Sequence, residues 1–302
     1  MQRNSVQKSE FLKPEIIAKI SRLGFTKKIL CEGTVSGRHA APYRGYSSEF
    51  LAFRPYTQGD DIRYLDWKIF ARSEKFFIRQ FEQETNMRSC VVFDKSASMD
   101  FRSSGISKID YAKILASTLA YILIKRGDSV GFSSISDEVE EFLPYSRSTK
   151  NLSKLLTKIS EIKASGLTNI AQSLKDIGSK IRRRTLIILI SDLLTETSAV
   201  MKAVRNFIHQ KHSFVVFQVL DPFEFDLPPG DRFLFKDKET QEKVAINVKK
   251  SSQRYRKQFQ KFLVGIENSL KNCGGGYFRF NTGISAEAGI PEGLCRTGFS
   301  FR

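Results

Sequence analysis

Two unbroken apolar runs constrain this chain more than any other feature. Residues 90–93 read CVVF and residues 186–190 read LIILI; Asp94 follows the first directly, and Ser191-Asp192 follow the second. A strand that is apolar at every position, rather than at alternate ones, needs cover on both faces, as the central strands of a parallel sheet have. Segments of helical period lie between and beyond these runs. Residues 108–125 place Ile109, Ala112, Leu115, Ala116, Leu119 and Ile122 on one face, and helices are also predicted over 149–162, 170–181, 198–209 and 250–270. Further strands are predicted at 129–133, 214–220 and 277–280, with 138–143 as an antiparallel edge and 233–246 as a hairpin. The alternation predicts an α/β fold: a doubly wound, mostly parallel sheet with helices on both faces. Ligands of such sheets gather beyond the C-terminal strand ends, where Asp94 and Asp192 both fall.

The chain before residue 86 is patterned differently. Residues 11–23 carry Ile16, Ile17, Ile20 and Leu23 at helical spacing, with Pro14 near the start and Gly24 at the end. Residues 33–84 are broken by Gly37, Pro42, Gly45 and Gly59, with strands predicted at 50–56 and 76–81 and a turn at 58–61. Asp66-Trp67 followed by Arg72 predicts a buried or half-buried aromatic ring beside an ion pair. Two parts result: residues 1–85, an N-terminal helix and a small β-rich segment, and residues 86–302, the α/β domain.

Composition narrows the function classes. The longest strongly apolar run has five residues, 186–190, against the ~20 a spanning helix needs. The first ten residues are polar and lack the apolar core of a signal peptide. Both observations predict a cytoplasmic protein without a membrane span. No two of the four cysteines form a C-x-x-C pair, and His209 and His212, two of the three histidines, have no acidic or cysteine partner close in sequence, so neither a disulfide framework nor a zinc site is expected. The net charge is +17, with local peaks at residues 180–184 and 249–261. Such charge can steer an acidic partner, nucleic acid or an anionic membrane surface. No Walker-type G-x-x-x-x-G-K or nucleic-acid reader motif accompanies it, so no specific nucleic acid is expected.

Three loops carry the chemistry. Residues 94–98, DKSAS, supply Asp94, Ser96 and Ser98; residues 166–168, GLT, supply Thr168; the end of the 186–190 run supplies Asp192. Two carboxylates and three hydroxyls form an all-oxygen donor set suited to Mg²⁺ or Mn²⁺. Because several donors are neutral, such a cation stays electron-poor enough to attract an outside carboxylate. Lys95, inside the first motif, is expected to point to solvent.

These three motifs, in this order, resemble the metal-ion-dependent adhesion site of the von Willebrand factor A fold, over roughly residues 86–280. The resemblance implies a bound Mg²⁺ whose open position takes a glutamate or aspartate from a partner protein. A second resemblance is narrower. Residues 45–50 (GYSSEF), 54–56 (RPY) and 59–63 (GDDIR), with Asp66-Trp67 and Ala71-Arg72, are similar to the segment that defines the domain-of-unknown-function 58 family. That segment precedes an adhesion-fold domain in the family, as it does here. The likeness implies a non-enzymatic adaptor that works with a MoxR-type AAA+ ATPase in assembling or activating other proteins. Many members carry membrane-spanning helices near their start; this sequence has none there.

Two other readings are open at this stage. A phosphohydrolase of the haloacid-dehalogenase type also has an aspartate at a strand end, a later Ser or Thr and a later acidic loop. Ser96 stands where its second aspartate belongs, and no lysine lies near the third motif. A nucleic-acid-binding protein using the basic surface is the other; attraction of that kind weakens steeply with salt.

Overall fold

The structure is a computed structural model. It describes residues 10–22, 50–81 apart from 59 and 61, 87–236 apart from 168, 238, and 242–296. The chain divides into two compact units, Ser36–Asn86 and the remainder.

In chain order the elements are α1 (Pro14–Arg22), β1 (Phe50–Pro55), α2 (Trp67–Ser73), β2 (Phe77–Phe81), β3 (Arg88–Asp94), α3 (Lys108–Lys125), β4 (Ser129–Ile135), β5 (Val139–Ser146), α4 (Thr149–Glu161) and α5 (Ile170–Lys180). There follow β6 (Leu186–Ser191), α6 (Thr197–His209), β7 (Ser213–Leu220), α7 (Pro222–Phe225), β8 (Arg232–Lys236), β9 (Lys243–Asn247), α8 (Val248–Asn272), β10 (Gly276–Asn281) and α9 (Ala286–Arg296).

The larger unit is built on one six-stranded sheet, ordered β10-β7-β6-β3-β4-β5. All its pairings are parallel except β4 with β5. This is the expected doubly wound α/β sheet of von Willebrand factor A type, with its one antiparallel strand at an edge. The apolar runs are β3 and β6, adjacent at the centre, with Val91 paired to Ile188 on one side and Phe132 on the other. Strand side chains alternate between faces, so β3 feeds two cores. Val91 and Phe93 pack with the α3 and α4 side, including Leu115, Leu119 and Leu155. Cys90 and Val92 pack with the α5 and α6 side, including Leu174, Ile177, Val204 and Phe207. Helix α3 is buried almost throughout its length, because α1, α4 and α9 pack around it.

Helix α1 goes with this larger unit, not with the β-rich segment that follows it in sequence. Ile16 and Ile20 are fully buried in the α3-side core, and Lys13 pairs with Glu287 on α9. The division drawn from sequence at residue 85 therefore differs in this helix. The hairpin predicted over 233–246 is the antiparallel β8–β9 pair.

The smaller unit contains the antiparallel β1–β2 pair and α2. Asp66 caps α2, its carboxylate accepting from the N–H groups of Lys68 and Ile69 at 2.9 and 3.1 Å. Arg54 pairs with Asp60 at 2.8 Å. Trp67 is 60% exposed, not buried or half-buried as expected. The short helix presents Phe70 instead, whose ring stacks on Phe76 with centroids 4.4 Å apart. Residues 45–49, Gly59 and Asp61 of the family-like segment lie outside the described residues. No helix among the described residues is long and apolar enough to cross a membrane.

Asp128, in the turn from α3 to β4, is buried and accepts from the Met87 N–H at 3.1 Å. Burial pushes its carboxyl up to about 6, against the pull of Arg126 and the Met87 N–H. The folded value lies above the unfolded one, so the contribution of Asp128 is fully present below about pH 4 and is lost as pH rises through about 6. The Asp128→Asn variant should escape this loss. Urea unfolding from pH 4 to 6.5 should show its stability gaining on the parent by on the order of 1–3 kcal/mol.

Candidate metal centre

Asp94 ends β3 fully buried, with both carboxylate oxygens engaged. Oδ1 accepts from the Ser96 N–H at 2.9 Å, and Oδ2 from the Ser191 hydroxyl at 2.6 Å. The first bond folds the chain back at once and brings Ser96 and Ser98 together, their Oγ atoms 3.1 Å apart. Ser96 is also fully buried, and a 3₁₀ turn, Ala97–Asp100, follows it.

The second loop is joined to the first through the backbone. Ser165 N donates to Lys95 O at 2.8 Å, and Ala97 N to Gly166 O at 3.1 Å. Gly166 has φ +83°, a conformation that strains residues with a Cβ. Asn169 is anchored on Ser136 O at 3.0 Å and caps α5 through its side chain. Thr168 itself lies outside the described residues. Lys95 does not point to solvent as expected. It pairs with Glu140 at 2.6 Å and donates to Ser165 Oγ at 3.2 Å, because the β4–β5 edge lies alongside.

Asp192, at the end of β6, is buried beside Asp94. Its Oδ1 accepts from Leu194 N at 3.2 Å, and its backbone oxygen from Gln218 Nε2 at 2.7 Å. Its other carboxylate oxygen meets a residue the sequence analysis passed over. Lys108, the first residue of α3, is 0% exposed and places Nζ 2.7 Å from Asp192 Oδ2 and 2.5 Å from Glu224 Oε1. Glu224 sits on α7 just beyond β7, and its Oε2 accepts from the Asp221 N–H at 2.8 Å. One signal for Lys108 is present in the sequence: it lies at i, i+4, i+7 with Ala112 and Leu115, a cation on the apolar stripe of a helix.

The family described as "Protein of unknown function DUF58" matches residues 52–264. The chain belongs to the DUF58 family. It is 26% identical over 230 residues to uncharacterized proteins of Mycobacterium tuberculosis and Mycobacterium bovis, covering 75% of this chain and 72% of each of those. Similar solved structures include BatB from Bacteroides thetaiotaomicron, 17% identical over 69% of this chain and 97% of that one, with a TM-score of 0.45. The SpRpn10 VWA domain is 8% identical over 72% of this chain and 98% of that one, with a TM-score of 0.43. The fold assignment made above stands on the sheet order and strand directions of the DUF58 chain itself.

Burial pushes the Asp94 carboxyl up to about 6, and the negative charge of Asp192 pushes it the same way, against hydrogen bonds from Ser191 and Ser96. Burial also works against the Lys108 ammonium, but Asp192 and Glu224 outweigh it and hold its pKa above the ordinary lysine range. Glu224 is raised by burial and by Asp192, against the pull of Lys108. Taken as charged, three carboxylates against one ammonium leave an excess of two negative charges, which one divalent cation would neutralise. Two oxygens in neighbouring octahedral positions at 2.0–2.1 Å from Mg²⁺ stand about 3 Å apart, and the Ser96 and Ser98 hydroxyls, hydrogen-bonded to each other at 3.1 Å, are close enough for that role. The hydroxyls and carboxylates among the described residues are an oxygen-only donor set of the kind a hard divalent cation takes, although no cluster of three or more His, Cys, Asp or Glu among them could hold a metal alone.

The Lys108→Met variant would leave Asp192 and Glu224 as buried carboxylates without their cation. Denaturation in the absence of divalent ions should show a loss of about 3–5 kcal/mol.

Proposed function

We propose that this DUF58 chain is a non-enzymatic protein-binding module that captures a Glu or Asp side chain of a partner through Mg²⁺, with Mn²⁺ as a substitute. The partner proposed is a MoxR-type AAA+ ATPase, in the assembly or activation of other proteins. The observation that carries the protein-binding part is the rim of the site. Leu167 and Leu194, close in sequence to Thr168 and Asp192, are 54% and 42% exposed, and Ile284 after β10 and Phe223 on α7 are exposed as well. All four follow C-terminal ends of the sheet or lie on the loop tied to them, so exposed apolar side chains share that edge of the sheet with the polar, buried centre. Such a combination suits a protein interface, which joins apolar surface with a few placed polar anchors.

When bound, the cation supplies a Lewis-acidic point that a carboxylate can join. The hydroxyls of Ser96, Ser98 and Thr168 are the proposed direct ligands. Asp94 and Asp192, already engaged by hydrogen bonds and by Lys108, are the proposed holders of coordinated water. The phosphohydrolase reading has less to support it, since Ser96 stands where its second aspartate belongs.

The immobilised chain should retain a purified MoxR-type ATPase in Mg²⁺ and release it in chelator. Asp94→Ala should weaken Mg²⁺ binding, followed by calorimetry, and ATPase retention by at least about tenfold. Retention unchanged by both the chelator and the substitution would reject the metal-dependent reading. A double change of Leu167 and Leu194 to Asp should abolish retention while leaving Mg²⁺ binding in place.

A further inference from the structure

The opposite end of the sheet holds a second concavity that the metal centre does not use. It has a volume of about 350 Å³ and is lined by Arg88, Lys180, Arg182 and Arg183, with Phe142 and Tyr145 among its walls. Arg88 begins β3 and Asp94 ends it, which separates this cavity from the metal centre by about 20 Å. No acidic residue lines the cavity. Among the described residues none of the four cations has an ion-pair partner, although many other lysines and arginines of the chain do.

Two of the cations are held in place by the aromatic walls. The Arg88 guanidinium lies over the Tyr145 ring, 5.3 Å from its centroid, and Lys180 Nζ lies 5.7 Å from the centroid of Phe142. Such contacts orient a cation without neutralising it. The C-terminal end of α5 accounts for a basic residue at Lys180, since cations favour that end of a helix dipole. It does not account for Arg88, which comes from a central strand, nor for two consecutive arginines turned toward the same hollow. Four like charges around one concavity repel one another, so the arrangement is suited to an anion of high charge density. Guanidinium groups match phosphate oxygens in pairs, and the space is within the range of small-ligand clefts.

We propose that this cavity is a binding site for a soluble ligand carrying a pyrophosphate group, of the nucleoside diphosphate class. The convergence of the cations on a hollow, rather than along a strip, favours a compact polyphosphate over an extended backbone or a flat membrane. The site is independent of the metal centre, so its test is run in chelator.

The full chain is titrated calorimetrically with inorganic pyrophosphate, adenosine diphosphate and adenosine in EDTA at low salt. Pyrophosphate and the diphosphate should each saturate one site with Kd below about 1 mM, and adenosine should not bind. The exposed pair Arg182→Gln/Arg183→Gln should weaken both ligands by at least about tenfold with the circular dichroism spectrum unchanged, and Arg88→Gln should weaken them independently. Failure of pyrophosphate to saturate, or equal binding by the double variant, would overturn the proposal. Flotation on phosphatidylcholine vesicles containing phosphatidylinositol phosphate, or retention of duplex DNA, without pyrophosphate binding would also overturn it and assign the patch to a membrane or nucleic acid.

Discussion

Charge compensation at the ends of two central strands is the constraint on which the rest of this molecule turns. Asp94 and Asp192 lie where the sheet has excluded water, and both are carboxylates. Uncompensated, such a pair is among the costliest arrangements a fold can contain. The chain meets the cost locally, with the Ser96 N–H and the Ser191 hydroxyl on Asp94, and from a distance, with the Lys108 ammonium on Asp192. The compensation is incomplete, and the remaining negative charge is what the proposed cation would neutralise.

Lys108 also joins the site to the rest of the fold. It begins the most deeply buried helix, and its second partner, Glu224, stands on a short helix beyond β7. Tyr255, from α8, donates its hydroxyl to the Glu224 backbone oxygen at 2.8 Å. Two segments distant in sequence therefore meet on one ammonium, and a third, α8, is tied to one of them. The shared ammonium links Asp192 to α7 and, through Tyr255, to α8. Coupling of this kind needs no wire through the core, only a buried cation shared between two anions.

Much of the centre was legible in the linear chain because local chemistry specifies it. An apolar run that stops on Asp94, followed by hydroxyls at alternate positions, predicts a strand and a tight polar turn, and the structure has both. The antiparallel edge, the β8–β9 hairpin and the long helix before β10 were legible for the same reason: period and turn residues report on neighbours in sequence. Lys95 was misjudged because its partner Glu140 comes from a hairpin some forty-five residues away. Trp67 was misjudged because a capped short helix turned Phe70 toward Phe76 instead.

By itself, then, the sequence determined the α/β alternation, the two strands that run out on carboxylates and the polar turn after the first of them, since each depends on residues close in the chain. Only the tertiary structure decided the partners. That Lys108 would meet Asp192 and Glu224, that α1 would pack on α3 and α9, and that Arg88 would share a hollow with Lys180 and two arginines all depend on strand order. Strand order is set by the packing of the whole sheet, where long-range burial outweighs any local preference.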